Sequence, residues 1–220
     1  MPACPLCNNL RTTLFYQQQR GLLSGREYYH CEQCQLVHVP QRFQLDSETE
    51  KSVYDLHENN PNDPQYRQFL ARIFEPMIER LDAGACGLDF GSGPGPTLSS
   101  MFAEAGMPCT TYDIYYDNRL ERLQHCYDYV VCTEVIEHVA APLEVFNTLI
   151  RCLKPGGYLG IMTQRWLDAE RFKGWTYRND PTHIGFFHER TFRYLAIKFA
   201  LELTIYPRDV VIFRKPHDQG

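Results

Sequence analysis

Two cysteine pairs, Cys4-Pro5-Leu6-Cys7 and Cys31-Glu32-Gln33-Cys34, stand 23 residues apart near the start of this 220-residue chain. They constrain its fold more than any other feature. Pairs at that spacing present four thiolates to one tetrahedral zinc ion, at Zn–S distances of about 2.3 Å. A segment of roughly 40 residues buries too little apolar surface to fold unaided. Bound zinc would contribute on the order of 10 kcal/mol or more of apparent folding free energy. Residues 1–45 therefore read as a zinc ribbon, with Cys4, Cys7, Cys31 and Cys34 holding a structural Zn2+. Leu36-Val37-His38-Val39 leaves the second knuckle as a short strand bounded by Pro40. Four cysteines close such a shell, so His30, His38 and His57 are expected to bind no metal.

The rest of the chain has the size of one medium globular domain. No stretch approaches 18 apolar residues, which disfavours a membrane span. Met1 to Leu10 lacks the basic start and apolar core of a signal peptide. Nine cysteines without a secretion signal suit a reducing cytoplasm, four on metal and five as thiols. Net charge is −5, divided as +2 over residues 1–45 and −7 over the remainder. Nothing resembles a large basic face for a phosphate backbone, so nucleic acid is a disfavoured partner. No oligomeric state is specified.

Residues 46–64 are polar and read as a linker or cap, part of it helical over the main site. From Gln65 to Leu81, apolar residues recur every three or four positions, which predicts an amphipathic helix kinked at Pro76. Strands are expected at 86–90, 109–112, 129–132 and 158–162. Helices are expected at 98–105, around 143–153 and at 189–200. Lys154-Pro155-Gly156-Gly157 reads as a turn, and residues 201–205 and 210–213 as an antiparallel hairpin. Residues 164–188 show no clean period. The fold class is α/β, with a mostly parallel Rossmann-like sheet, a C-terminal hairpin at its edge and the small ribbon in front. Residues 46–220 form the larger domain.

Leu88-Asp89-Phe90-Gly91-Ser92-Gly93-Pro94-Gly95 leaves a strand and enters a helix, the place where open α/β sheets bind ligands. A dinucleotide requires Gly-x-Gly-x-x-Gly for its pyrophosphate. This chain instead has Gly-x-Gly-x-Gly followed by Pro96, with Asp89 in the strand before the loop. A carboxylate there repels pyrophosphate and suits a ligand bearing an ammonium group. Asp113, 18 residues beyond Gly95, ends the next strand where ribose hydroxyls are held. S-adenosylmethionine has the matching parts: an amino-acid end, a ribose and an adenine, without phosphate.

With these residues in place, 84–163 resemble a class I S-adenosylmethionine-dependent methyltransferase of the small-molecule and quinone-methylating type. Leu88–Gly95 resembles the family's first motif, Tyr127–Val139 its fourth-strand motif, and Leu153–Leu159 the turn into its fifth strand. The resemblance implies a seven-stranded type of sheet. It also implies that Asp89 binds the methionine ammonium and that Gly91, Ser92, Gly93 and Gly95 line the cofactor. Asp113, with Ile114 beside it, would take the ribose, and Glu134 would sit by the methionine end. Only 14 residues separate Asp113 from Asp128, so the family's third strand must be reduced, tiny or absent. The adenine contact is sought in Asn118–Leu123.

Such a cofactor brings its own electrophile, so the protein mainly aligns an acceptor, helped by a base when the acceptor is a hydroxyl or an acidic carbon. His138, after the fourth strand, and His183, in the irregular segment, are the candidate bases. Asp180 is placed to orient His183. Trp175, Tyr177 and Asp180 are candidate substrate contacts, and Arg165 and Arg178 candidate anion grips. The expected partner is a small-molecule methyl acceptor, through oxygen or carbon rather than nitrogen. Two other readings stay open: an RNA methyltransferase whose ribbon docks RNA, and a non-catalytic cofactor-binding adaptor.

Overall fold

Gly87–Phe90 is buried along nearly its whole length, which only a central strand tolerates, and the sheet is built outward from it. The computed structural model describes residues 1–56 and 60–217. In chain order it forms β1 (Thr12–Gln17), β2 (Glu27–Cys31), β3 (Val37–His38), α1 (Ser47–Tyr54), α2 (Pro64–Ile78), β4 (Gly87–Phe90), α3 (Thr97–Glu104) and β5 (Cys109–Tyr112). There follow β6 (Tyr127–Thr133), α4 (Pro142–Arg151), β7 (Leu153–Met162), α5 (Ala169–Gly174), β8 (Gly185–Phe186), α6 (Glu189–Phe199), β9 (Glu202–Ile205) and β10 (Val210–Arg214).

The main sheet has the order β5-β4-β6-β7-β10-β9. β4 runs parallel to β5 and β6, β6 runs parallel to β7, and β10 is antiparallel to both β7 and β9. Alternation along β6 divides the core. Tyr129 and Val131 pack with Leu70, Ile73, Met77 and Phe102 under α2 and α3. Val130 and Cys132 pack with Phe146, Leu149, Phe192 and Leu195 under α4 and α6. The parallel sheet and its edge hairpin are those expected from the sequence.

Of the two readings for the third strand, tiny or absent, the second holds, and two other details differ from the pattern read from sequence. Beyond β5 no third strand forms among the described residues: the chain closes a turn from Asp113 to Asp117, then a single 3-10 turn at Leu120–Gln124. Fourteen residues are too few to leave the sheet, cross it and return. Lys154 to Gly157 is a loop extruded within β7 rather than a turn before it, since Tyr127 pairs with Leu153 and Tyr129 with Tyr158. Gly156 takes φ +80° there. α2 carries Pro76 in its last turn, two residues before its end at Ile78, so the donor it lacks interrupts only that turn.

The ribbon strands join a second sheet of order β1-β2-β3-β8. Its last strand comes from the segment without clean period: Val37 pairs with Phe186 and His38 with Gly185. Two buried arginines strengthen the join. Arg26 of the ribbon donates to the carbonyls of Asp180, Pro181 and His183, at 3.3, 3.3 and 2.5 Å. Arg178 donates to the carbonyls of Phe172 and Lys173 and to the Gln18 amide oxygen. Among the described residues no helix is long and apolar enough to cross a membrane.

Replacing Arg26 by Ala leaves three lid carbonyls without their donor and should cost about 2–3 kcal/mol of stability. Denaturant titration of Arg26→Ala checks this. A loss below about 0.5 kcal/mol would show the lid held by other means.

Candidate active site

The glycine loop begins where β4 ends. Gly91 and Gly93 take φ +78° and +65°, conformations that side chains rarely adopt. A Cβ on Gly91 would also meet the Val135 side chain at 2.3 Å, so the loop lies flat against the segment after β6. Asp113, at the end of β5, closes the loop from the other side. Its Oδ2 accepts from the Gly93 N–H at 2.9 Å, and its Oδ1 from Tyr115 and Tyr116 at 2.8 and 3.1 Å. Oδ1 is thereby filled, whereas Oδ2 keeps one lone pair.

Asp89 lies beneath the loop and is buried. Burial pushes its carboxyl up to about 7; the Asp113 charge adds to this, and the Ser99 N–H pulls the other way. Neither Asp89 nor Gly95 lines the cavity above, a space of about 890 Å³. That is toward the upper end of the ~300–1,000 Å³ typical of small-ligand sites. Gly91, Ser92, Gly93, Asp113 and Ile114 line one end of it. From the strip Asn118–Leu123, only Leu123 reaches it.

Helix α1 roofs this end, so part of the expected cap is helical. Asp46 caps it through the Glu48 and Thr49 N–H groups. Glu50 accepts from Tyr115 at 2.6 Å and from Tyr54 at 2.9 Å, and Asp55 accepts from Tyr116 at 2.7 Å. The tyrosines after Asp113 thus tie the cap to the ribose side. His57 lies outside the described residues.

Glu134, His138, Asp180 and His183 line the other end. Glu134 follows β6 with φ +50°, a strained conformation for a residue with a Cβ, and its N–H is held by the Met162 carbonyl at 2.8 Å. One turn on, Glu137 is fully buried. The Tyr177 hydroxyl donates to Glu137 and lies 3.2 Å from Glu134. Burial, with the Glu137 charge beside it, pushes Glu134 up to about 9, and burial also raises Glu137. Sequence reasoning passed over Glu137. The signal for it was the Glu-x-x-Glu-His spacing itself.

The histidines meet edge to face, ring centroids 4.6 Å apart. His183 directs Nδ1 at the Tyr177 carbonyl, 2.6 Å away, and Asp180 Oδ2 stands 3.9 Å from its Nε2. The backbone, rather than Asp180, therefore orients this ring, while Asp180 Oδ1 accepts from the Thr182 N–H and hydroxyl. Burial first, then the His138 charge, lowers His183. Trp175 stacks on Tyr177 and donates to Gln164; neither aromatic lines the cavity. Arg165 donates to the carbonyls of Tyr206 and Arg208 and Arg178 is buried in the lid, so neither arginine lines the cavity.

The four ribbon thiols gather with every Sγ within 4.8 Å of the others. Cys4–Cys34 and Cys7–Cys31 approach to 3.5 and 3.4 Å, near the ~3.8 Å edge of a four-sulfur zinc tetrahedron. The two knuckles repeat each other. Asn8 and Gln35, each following a second cysteine, take φ 58° and 62°, and each donates to the carbonyl of its first cysteine at 2.9 Å. The neighbouring Cys34 thiol brings Cys4 down to about 6 against burial, with the Leu6 and Cys7 N–H groups helping. The donor set fits zinc.

Comparison with known proteins agrees with this geometry. Residues 62–204 match the family model described as a methyltransferase domain. A ubiquinone biosynthesis O-methyltransferase of Photorhabdus laumondii is 31% identical over 102 residues, covering 44% of this chain and 42% of that protein. The Vibrio cholerae counterpart is 32% identical over 91 residues, covering 41% of this chain and 37% of its own. The matched stretch thus spans about two fifths of these relatives. Among solved structures, a 1,6-didemethyltoxoflavin-N1-methyltransferase of Burkholderia thailandensis, with its substrate and S-adenosylhomocysteine bound, superposes with TM-score 0.54. The identity is 14%, over 85% of this chain and 98% of that one. A SAM-dependent methyltransferase of Archaeoglobus fulgidus gives TM-score 0.54 at 15% identity, over 77% of this chain and 100% of that one. These structures show a shared fold. The sequence match covers most of the chain, and the protein belongs to the methyltransferase-domain family.

Proposed function

We propose that this protein transfers the methyl group of S-adenosylmethionine to an oxygen of a small-molecule acceptor. One observation carries the reading: a single cavity joins the glycine loop and Asp113 at one end to Glu134, His138 and His183 at the other. A nucleoside end and an acceptor end are thereby set face to face. The O-methyltransferase relatives support oxygen over carbon.

Bound S-adenosylmethionine would supply a methyl group already electrophilic on its sulfonium. Asp113 offers its remaining Oδ2 lone pair to a ribose hydroxyl while its other bonds hold the Gly93 and Tyr115 backbone. Asp89, beneath the loop, supplies negative charge toward the methionine ammonium. Ile114, exposed beside Asp113, offers apolar surface to the adenine. Glu134, at the acceptor end, would sit by the methionine part of the nucleoside. Trp175 and Tyr177 shape the acceptor end from behind, by packing against His183 rather than by touching substrate. Asp180, at the cavity wall, receives the acceptor proton, and His183 borders the acceptor. In the ribbon, Cys4, Cys7, Cys31 and Cys34 would hold one structural Zn2+, bracing the lid through β3 and β8. Nine cysteines outside disulfides, four of them on metal and five as thiols, suit a reducing cytoplasm.

Calorimetry with S-adenosylhomocysteine should show one site per chain, and Asp113→Ala should weaken it at least tenfold with the fold intact. A wild-type protein that ignores this nucleoside and binds NAD instead would overturn the reading. Transfer of labelled methyl from S-adenosylmethionine to phenolic acceptors then tests catalysis.

Asp89 gives a prediction of opposite sign for stability and binding. Its carboxyl is raised to about 7 in the folded protein from 3.8, so ionising it costs folding free energy as pH climbs through that window. Asp89→Asn keeps an acceptor for Ser99 and removes that cost. Above pH 7 the variant should be more stable by on the order of 2–4 kcal/mol, with no gain near pH 4, while binding S-adenosylhomocysteine more weakly. Thermal melts from pH 4 to 8 test it; a pH-independent difference would refute the assignment.

Zinc should be present at one equivalent per chain by elemental analysis. Cys31→Ser should lower the melting temperature by 10 °C or more. Full retention of stability after chelation would remove the structural role.

A further inference from the structure

We propose that Glu137, His138 and His183, with Glu134 beside them, form a second metal site. It would hold one first-row divalent cation at the acceptor end of the cavity, to bind the acceptor oxygen as it loses its proton. The proposal rests on the methyltransferase reading for its purpose, but its geometry stands alone. One ligand atom from each of Glu137, His138 and His183 lies within 4.8 Å of the others. That spacing lets three ligands of about 2.0–2.2 Å meet at one ion.

Two further observations point to a ligand. Tyr177 engages one oxygen of each carboxylate, which leaves Oε2 of the fully buried Glu137 and Oε1 of Glu134 buried without a hydrogen-bond partner. A buried carboxylate oxygen in that condition is destabilising unless something satisfies it. Both histidines, moreover, have Nδ1 directed at a backbone carbonyl, Tyr177 at 2.6 Å for His183 and Thr182 at 3.3 Å for His138. That is how metal-bound imidazoles are oriented: one ring N–H goes to a carbonyl and the Nε2 lone pair is presented to the ion.

The charge balance agrees. Arg72, whose charge reaches Glu134, is paired with Asp209 at 2.6 Å. A divalent cation would supply positive charge directly at the two carboxylates. Two imidazoles with one or two carboxylates suit manganese, iron, cobalt or zinc rather than calcium.

The arrangement also names a substrate class. Glu137 closes the site from behind, whereas Glu134, His138 and His183 border the cavity. An ion held there would be reached by the acceptor from the cavity side, which suits an acceptor with two neighbouring oxygens able to chelate it, such as an ortho-dihydroxy aromatic. On the cation, the acceptor O–H is acidified and passes its proton to Asp180, at the cavity wall, and on to water. The oxygen then forms its bond to the methyl carbon as the carbon–sulfur bond breaks. That electron pair stays on sulfur, and a neutral thioether leaves.

Mn2+ separates this site from the ribbon, because a four-thiolate zinc site disfavours so hard an ion. Electron paramagnetic resonance titration with Mn2+ of protein carrying one zinc per chain, in the ribbon alone, should show one bound Mn2+ per chain. Glu137→Gln and His183→Ala should weaken it at least tenfold, with zinc content and S-adenosylhomocysteine affinity retained. His138→Ala, at a half-exposed position, should weaken it too and guards against variants that misfold. Asp113→Ala should lose the nucleoside but keep Mn2+, so failure of the cofactor reading is distinguishable from failure of this one. Absence of bound Mn2+ in the wild-type protein, or binding unchanged in all three ligand variants, overturns the proposal.

Discussion

The Glu137 carbonyl accepts two hydrogen bonds from the lid, from the N–H groups of Ile184 and Gly185 at 2.9 and 2.8 Å, and the acceptor end of the cavity depends on them. They pin the turn after β6 to the strand β8. Without them His183 would have no fixed relation to His138, although 44 residues of chain lie between. β8 is only two residues long and cannot hold itself in place. It is positioned because β3 pairs with its other edge and because Arg26 gathers the carbonyls just before it. The ribbon and the parallel sheet grip the lid from opposite sides.

That arrangement gives the thiol cluster a reach beyond its own segment. Cys4, Cys31 and Cys34 are buried in the same apolar core as Phe187, Phe192 and Leu195. Anything that fixes the knuckles fixes β2 and β3, and through them the segment 180–187. A lid held this way is formed before any acceptor arrives. The ordering entropy is then met during folding rather than at binding.

The sequence made the cofactor end legible because that end is local. Asp89, Gly91, Gly93 and Asp113 sit at the ends of two adjacent parallel strands, and each residue type has one physical reason to be there. The strands alternating with helices, the edge hairpin and the thiol pairs were legible for the same reason. The acceptor end was not. His183 was visible as a histidine, but its partner is the Tyr177 carbonyl, which no side-chain pattern encodes. Arg178 looked like an anion grip, yet arginine donors serve buried carbonyls equally well, and only burial decides between the two. Residues 164–188 lacked a period because they hold one turn of everything: a six-residue helix, a 3-10 turn and half of a two-stranded pairing.

Three acids share a physical logic. Asp89, Glu134 and Glu137 are each destabilised as carboxylates by burial; Glu134 lines the cavity, Asp89 lies beneath the glycine loop and Glu137 behind the histidines. A fold selected for stability alone would place leucine or asparagine in those positions. Their cost is tolerable because neighbouring elements are over-determined: β4 is paired on both edges, and the turn after β6 is fixed by Met162 and by the lid. A bound cation at either end would then return much of what burial took away. Occupancy and stability should therefore rise together.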